Sequence, residues 1–288
     1  MATRDWLDVD GDYNNVANWT GGAVPATNDV VRFLKGSRTI SSNLNQATVA
    51  PDDVIIGPEF AGIIGSPTNP LIYGTAVDRI VYNGLNCQGC SIQAAMVTDV
   101  LVLGTHSLPY SFYLPAGTVT NFYMKRGIGA RIGAAATIFT LRQSVDRDTP
   151  ENEAALVVDA GATIINAHLD GGKLLMRAAV TGLARIFRGE WVHDGFDKDI
   201  ASLQIYGGVM NLLGQNCNIP TVEIIGGVLD ASGSSSPKSI GGMSLTLWPR
   251  GTLNVNNGAR TITVGTITAI GQGVVIAEPG RTMTIEAV

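Results

Sequence analysis

The sequence contains little of several features that would point directly to a function. Among 288 residues there are three cysteines, charged side chains make up 15%, and aromatic side chains make up 6%. Three cysteines are too few for a disulfide scaffold. No apolar run reaches the roughly 18 residues of a membrane-spanning helix. The formal net charge is −5 and no basic face is visible. We therefore expect neither a membrane nor a nucleic acid as partner.

Glycine and aliphatic residues, by contrast, are abundant. The chain has 35 glycines and is 45% hydrophobic, a composition that suits many short strands with tight bends. A glycine followed by a short apolar strand recurs at Gly208, Gly227, Gly251 and Gly273, with spacings of 19, 24 and 22 residues. Two earlier copies begin at Gly172 and Gly189, and Gly189 stands 19 residues before Gly208. A recurrence near 20 residues predicts a β-solenoid, in which successive coils pair about 4.8 Å apart along the axis.

The predicted fold is all-β: a right-handed parallel β-helix (β-solenoid) with an N-terminal cap and an irregular insertion. The chain divides into a cap and first strand (1–33), early coils (34–104), an irregular aromatic and charged segment (105–153), and regular coils (154–288). Aliphatic side chains should stack from coil to coil inside the solenoid. One predicted column is Leu203, Val222 and Leu245, and another is Leu212, Leu229, Leu253 and Val275.

The first 33 residues are rich in turns and contain Trp6 and Trp19. The first coil of a solenoid exposes apolar side chains and an unpaired edge, which must be covered. We therefore predict that the two tryptophan rings form the cap.

The same segment carries a recognisable pattern: Trp6, then Gly11-Asp12, then Ala17-Asn18-Trp19, then Gly, Pro and Asp29-Val-Val. This pattern resembles the opening segment of β-helical phage virion proteins, and it is also similar to segments of secreted autotransporter-type β-helices. The resemblance covers about 30 residues, and beyond them only the recurrence of glycines and short apolar strands matches. Met1–Asp5 shows no apolar signal segment, so we expect no export by the ordinary route, which favours the phage family.

The resemblance implies a structural role on the outside of a virus particle. We expect a capsid decoration or cement protein at the virion surface, made in the host cytoplasm. Its partners would be the major capsid protein and, in a homotrimer, itself. A tailspike or tail-fibre β-helix that binds or cleaves host surface polysaccharide is the alternative, and a bacterial adhesin-like solenoid is a third. We expect no catalytic activity and no cofactor.

Three alternating carboxylates, Asp8, Asp10 and Asp12, resemble the first half of a calcium-binding loop. The match is partial, because the sixth position holds Tyr13 where glycine is required and the twelfth holds Trp19 where glutamate is required. The alternative, which we favour, is a solvated turn whose carboxylates accept hydrogen bonds from nearby backbone N–H groups.

Other candidates for chemistry are weaker. Cys87 and Cys90 form a Cys-x-x-Cys pair, but zinc would need two more ligands and a redox motif would open a helix. They are best interpreted as small buried residues at a coil corner. Glycoside hydrolysis would need two carboxylates facing one cleft, and no pair stands out. The acidic candidates are Asp170, Glu190, Asp194, Asp197, Asp199 and Glu223.

The segment 105–153 contains a cluster of aromatic residues: Tyr110, Phe112, Tyr113, Phe122 and Tyr123. Aromatic side chains are favoured at protein interfaces, so this cluster is the predicted partner-binding surface. A layer of the core is the equally weighted alternative.

Overall fold

A computed structural model describes residues 1–105, 111–127, 129–145, 155–233, 238–255, 262–276 and 285–287. These residues form two compact units. Unit 1 consists of Met1–Thr140 and Ser144–Val157, and unit 2 of Leu141–Gln143 and Val158–Val288. The described residues contain no α-helix, only a 3₁₀ turn at Val16–Asn18. Accordingly, no helix in the described part of the chain could cross a membrane.

Unit 1 is a parallel β-solenoid. Its strands are β1 (Thr3–Asp5), β2 (Val30–Gly36), β3 (Thr39–Ile40), β4 (Asn45–Gln46), β5 (Asp53–Phe60), β6 (Ile63–Ile64), β7 (Leu71–Gly84), β8 (Gly89–Cys90), β9 (Ile92–Thr105), β10 (Phe112–Met124), β11 (Ala130–Gln143) and β12 (Leu156–Val158). The last three residues of β11 and the last residue of β12 belong to unit 2. One ladder runs β1-β2-β5-β7-β9-β10, and a separate three-stranded sheet runs β3-β6-β8.

Unit 2 is also a parallel β-solenoid. Its strands are β13 (Thr163–Met176), β14 (Ala179–His193), β15 (Ile200–Ile205), β16 (Val209–Leu212), β17 (Cys217–Asp230), β18 (Lys238–Asn254), β19 (Ile262–Val264), β20 (Ile267–Ala269), β21 (Val274–Ile276) and β22 (Ile285–Ala287). The two ends of β14 pair with β15 and β16, and β17 then pairs with β18 along its whole length. The predicted solenoid is thus confirmed.

Buried aliphatic side chains stack in columns inside unit 2. Leu203, Val222 and Leu245 are direct strand partners on successive coils, and all three are buried. This confirms the first predicted column. Burial of each such side chain is worth roughly 1.5–3 kcal/mol, so the columns are a main source of stability.

The second column differs from its prediction at one position. Leu229 pairs with Leu253, and Leu253 pairs with Val275, as predicted. The partner of Leu229 on the preceding coil is Met210, whereas the predicted Leu212 lies beside His193. Met210 follows its glycine by two residues, as Leu229 and Leu253 do, so the inward position is set by the distance from the bend.

Glycine at the bend is required by the backbone. Gly189, Gly208 and Gly227 have φ angles of 89°, 76° and 79°, a left-handed conformation that other residues rarely adopt. A Cβ atom on Gly208 would collide with the carbonyl oxygen of Gly189, and one on Gly227 with that of Gly208. The recurrent glycine therefore lets successive coils approach closely at the same corner.

The segment predicted to be irregular is largely regular in its described residues. β10 and β11 are strands of 13 and 14 residues, and β10 pairs with β9 in a parallel register. The prediction of an irregular insertion over 105–153 is therefore wrong for residues 112–124 and 130–143. The charged stretch 146–153 lies outside the described residues.

Candidate functional site

The N-terminal segment places aromatic rings over the first inward-facing ring of β2. Trp6 and Trp19 form a backbone bridge, and their rings meet edge to face with centroids 5.2 Å apart. Both contact Phe33, at 6.0 and 5.7 Å between ring centroids. Tyr13 packs on Trp19 at 5.0 Å and accepts a 2.7 Å hydrogen bond from the indole Nε1 at its carbonyl. All four rings are buried, which is the arrangement that the predicted cap requires.

The three carboxylates considered for calcium all accept hydrogen bonds from backbone N–H groups, Asp12 from that of Asn14 at 2.8 Å. Asp8 accepts hydrogen bonds from the backbone N–H groups of Ser37 and Arg38, both at 3.1 Å. Asp10 accepts one from the N–H of Asp12 at 2.9 Å, and this bond is the main reason that the pKa of Asp10 is lowered. No group of three His, Cys, Asp or Glu side chains in the described residues is arranged to hold a metal ion. Asp10 and Asp12 thus organise the turn as the alternative predicted, whereas Asp8 connects the turn to Ser37 and Arg38, which follow β2.

The predicted partner-binding cluster is split by the structure. Phe112 and Phe122 are completely buried, with ring centroids 6.3 Å apart, so the core alternative holds for these two. Tyr113 and Tyr123 are partly exposed, and a contact surface stays a prediction for them. Tyr110 lies outside the described residues.

Tyr123 extends a row of apolar side chains on the outside of unit 1. Ile55, Val81, Leu101 and Tyr123 are strand partners on four successive coils, and each is partly exposed. We call these four residues the outer apolar row. Their side chains lie on the opposite face of the strands from the buried Ile56, so they contribute surface and not core.

The two neighbouring cysteines are buried in unit 1. Burial raises the pKa of the thiols of both Cys87 and Cys90. A thiol kept protonated is a poor nucleophile and a poor metal ligand, so these residues fit the interpretation as small buried residues at a coil corner.

Most of the acidic residues considered for catalysis are engaged in structural contacts. Four of the six have partners: Asp170 with Arg142, Glu190 with Lys173, Glu223 with Trp248, and Asp199 with the backbone N–H of Asn218. Trp191, an aromatic residue in the same half of the chain, is completely buried on the column that contains Met210. It cannot form part of a sugar-binding surface.

His193 is buried and has an unusual hydrogen-bonding state. Its Nε2 lies 2.9 Å from the carbonyl oxygen of Lys198, so Nε2 carries the proton and donates it. Its Nδ1 is buried and has no partner within the described part of the chain. Burial lowers the pKa of this imidazole, although nearby Asp194 and Asp199 act in the opposite direction. The neutral ring is therefore the form that fits the fold.

Unit 2 brings three arginines together on its outer surface. Arg142 donates from Nε and Nη2 to Oδ2 of Asp170, at 3.0 and 2.7 Å. Arg188 donates from Nε to the carbonyl oxygen of Asp170 at 2.7 Å. Arg185 is the strand partner of His168, whose pKa is lowered by burial first and then by Arg185 and Arg142. These five residues lie within one small region of the surface.

An exposed pair of aromatic rings adjoins the arginines. Phe187 and Tyr206 stack with a centroid distance of 4.8 Å and an interplanar angle of 9°. They are 38% and 41% exposed. We call Arg142, Arg185, Arg188, Phe187 and Tyr206 together the arginine face.

A chain of polar side chains continues from this face across three coils. Arg185 donates to Oε1 of Gln204 at 3.0 Å, and Gln204 donates to Oε2 of Glu223 at 3.0 Å. Trp248 donates from Nε1 to Oε1 of Glu223, also at 3.0 Å. These bonds fix the orientation of outward-facing side chains that would otherwise be mobile.

No protein-family model, no curated protein and no solved structure matches this chain.

The arginine face was missed by sequence reasoning. Its residues are separated in the sequence, with Arg142 standing 28 residues before Asp170. The available signal was the run Arg185-Ile-Phe-Arg188, which places cations and an aromatic ring on one short stretch of strand.

Proposed function

We propose that this protein is a structural component of a bacteriophage particle, a decoration or cement protein that binds the outer shell of the capsid and stabilises it. The observation that carries the proposal is the N-terminal segment. Two residues of the pattern that resembles β-helical phage virion proteins, Trp6 and Trp19, pack onto Phe33, and Tyr13 packs on Trp19. A solenoid whose first coil is covered in this way is a rigid unit, and its role would be mechanical.

The outer apolar row supplies a surface for attachment. Its four side chains lie in register on successive coils, so together they present a straight apolar strip. Burying such a strip against the major capsid protein, or against a second and third copy of this chain in a trimer, is favourable. Many copies bound at equivalent places on a shell would gain further from avidity.

The first test is the location and copy number of the protein. Particles purified from infected host cells are analysed by quantitative mass spectrometry. Capsid decoration predicts a copy number in the hundreds, comparable to that of the major capsid protein, whereas a tail component would be present in a few copies. Absence from purified particles would contradict both locations.

A second test addresses the surface. Leu101→Glu places a charge in the middle of the outer apolar row and should reduce loading onto particles that lack the protein. Met96→Glu is the matched control, because Met96 lies on the same strand but is 59% exposed and outside the row. Equal loading of the two folded variants would show that the row is not the attachment surface.

The alternative function, a tail β-helix that binds or cleaves host surface polysaccharide, is favoured by one observation. Phe187 and Tyr206 are large rings exposed on an otherwise regular strand face. Loss of viscosity in a preparation of host capsule would support cleavage, and retention of the protein on that capsule without loss of viscosity would support binding alone.

A further inference from the structure

We propose that the arginine face of unit 2 binds a polysaccharide that carries carboxylate groups, such as a polymer of uronic acids. The inference goes beyond capsid attachment and does not depend on it. It names a site and a ligand class that the alternative tail function would need.

Three arginine side chains lie close together in this region. Arg142, Arg185 and Arg188 bring three positive charges together, and Asp170 neutralises one of them. The region is therefore positive in a chain whose net charge is −5. A cationic region on an acidic protein attracts anions selectively to that place and leaves the remaining surface repulsive to them.

The arginines also have donors to offer a ligand. Arg142 is 55% exposed, and its Nη1 makes no hydrogen bond within the described part of the chain. Arg188 is exposed and uses only Nε among the described residues, which leaves both Nη groups available to a ligand. A guanidinium group presents paired N–H donors that match the two oxygens of a carboxylate.

These donors are held in a fixed arrangement. Arg142 lies on β11, Asp170 on β13 and Arg188 on β14, and both arginines are anchored to Asp170, one through its carboxylate and one through its carbonyl oxygen. Because a single residue orients the two guanidinium groups, they are preorganised. A ligand binding to them would cost little side-chain freedom of the protein.

The aromatic pair extends the face beyond the charged groups. Phe187 and Tyr206 stack on each other, and both remain partly open to solvent. The edge of an aromatic ring carries partial positive charge, so it does not repel anionic oxygens, and the ring surface can pack against the C–H groups of a sugar. The rings therefore add contact area without opposing the charge of the arginines.

The polar chain beside the face favours a sugar over other polyanions. Gln204 and Glu223 present amide and carboxylate oxygens to which sugar hydroxyls can donate hydrogen bonds. Duplex DNA carries one charge per about 1.7 Å, and the deoxyriboses within its strands have no free hydroxyl group to donate to these oxygens. A polymer of uronic acids carries hydroxyl groups between its charges, whereas polyglutamate has no hydroxyl groups to donate.

The test uses the whole chain and sodium polygalacturonate as the probe, at low ionic strength, with binding measured by calorimetry. Wild type should bind, and the affinity should fall as salt is added. The variant Arg142→Gln with Arg188→Gln should bind about tenfold more weakly, roughly threefold for each guanidinium group removed. Arg79→Gln, which removes an exposed ion-paired arginine of unit 1, is the control and should leave binding unchanged.

Two further arms separate the ligand classes. Tyr206→Ala with Phe187→Ala should weaken binding to polygalacturonate, and wild type should bind polyglutamate and DNA of equal charge less well. Failure of wild type to bind polygalacturonate would overturn the proposal. Equal binding of polyglutamate, or equal weakening by Arg79→Gln, would also overturn it, since either result indicates attraction of any polyanion.

Circular dichroism of each variant establishes that it is folded. The double variant Arg142→Lys with Arg188→Lys separates the effect of charge from that of the paired donors. The lysine variant retains the charge but not the paired donor geometry, so it should bind with intermediate affinity. Because no particles are used, a negative result here leaves the capsid proposal standing, and absence from particles leaves this one standing.

Discussion

The two units have the same parallel β-solenoid backbone, but different kinds of side chain fill their interiors. Of the ten aromatic side chains that are buried in the described residues, nine lie in unit 1, and Trp191 alone lies in unit 2. Unit 2 is filled mainly by aliphatic columns such as Leu203, Val222 and Leu245. A parallel ladder thus fixes the spacing of inward positions but not the kind of side chain that occupies them.

Because of this difference, we expect the two units to respond differently to amino-acid substitutions. Aliphatic residues of similar size repeat from coil to coil in unit 2, so neighbouring coils are nearly equivalent. The rings of unit 1 make particular edge-to-face contacts, for instance between Phe33 and Phe60 at 6.0 Å between centroids. Each of these edge-to-face contacts therefore depends on one particular pair of rings. Four predictions test this contrast.

The largest effect is expected from a charge in an aliphatic column. Leu253 is completely buried between Leu229 and Val275, so Leu253→Asp would leave an unpaired carboxylate in the core. We expect the variant to be insoluble on expression. Val274→Asp is the control, since Val274 is 51% exposed on the adjoining strand and its carboxylate would stay hydrated. A soluble Leu253→Asp protein with the wild-type circular dichroism spectrum would refute the stacking assignment.

The next effect concerns the aromatic cap of unit 1. Trp19→Ala removes the ring that contacts Trp6, Tyr13 and Phe33, and should lower the free energy of unfolding by about 3–5 kcal/mol. Urea unfolding followed by fluorescence measures this loss. Val16→Ala, at an exposed position of the same segment, should cost less than about 1 kcal/mol. Similar losses for the two variants would argue against the cap.

The third prediction is that acid weakens unit 2 through His193. Burial lowers the pKa of this imidazole below the ordinary value of 6.5, so the folded state favours the neutral ring. The stabilising contribution is therefore complete above about pH 6.5 and is lost as the pH falls below it, with a slope of at most about 1.4 kcal/mol per pH unit. In unit 1 the buried Tyr82 and Cys90 have raised pKa values and would respond to alkali instead.

Thermal unfolding between pH 8 and pH 5 provides the measurement. Wild type should lose stability over this range, and His193→Gln, which has no charge to gain, should lose less. The two proteins are compared at pH 8 to establish the cost of the substitution itself. Identical slopes for the two proteins would remove His193 as the source of the acid sensitivity.

The smallest effect is expected at the surface of unit 1. Arg79 and Asp53 form an exposed ion pair with a 2.7 Å contact. Exposed pairs contribute about 0–1 kcal/mol, because water and salt screen the charges. Asp53→Asn should therefore lower the free energy of unfolding by less than about 1 kcal/mol, and the loss should shrink further in high salt. A loss above about 2 kcal/mol would indicate that this pair carries more than a surface role.

Sequence reasoning reached the solenoid because its signal repeats. The glycines at 189, 208 and 227 mark equivalent corners, and the spacing between them is the length of a coil. The prediction for Leu212 was wrong because Leu212 stands four residues after its glycine, whereas Leu229 and Leu253 stand two residues after theirs. The register of the ladder, which pairs Val209 with Val228, decides in favour of Met210.

The inward orientation of Phe112 and Phe122 and the arginine face could not be predicted, because they depend on contacts between residues that are distant in the sequence. Around Phe112 and Phe122, proline and aromatic residues obscure the alternation of a strand, yet both rings face inward. The arginine face requires the pairing of β13 with β14, which a single sequence does not display. Local pattern predicts the coil, and only the register between coils predicts which side chains become neighbours.

The stacked glycines at one corner also make each coil of unit 2 an exchangeable module. A tandem duplication of residues 190–208 would begin just after one such glycine and end on the next, so the added turn would present matching edges above and below. Such a chain can lengthen by unequal recombination without inventing new contacts. Genes for solenoids of this kind should therefore vary in length by whole turns more readily than by partial ones.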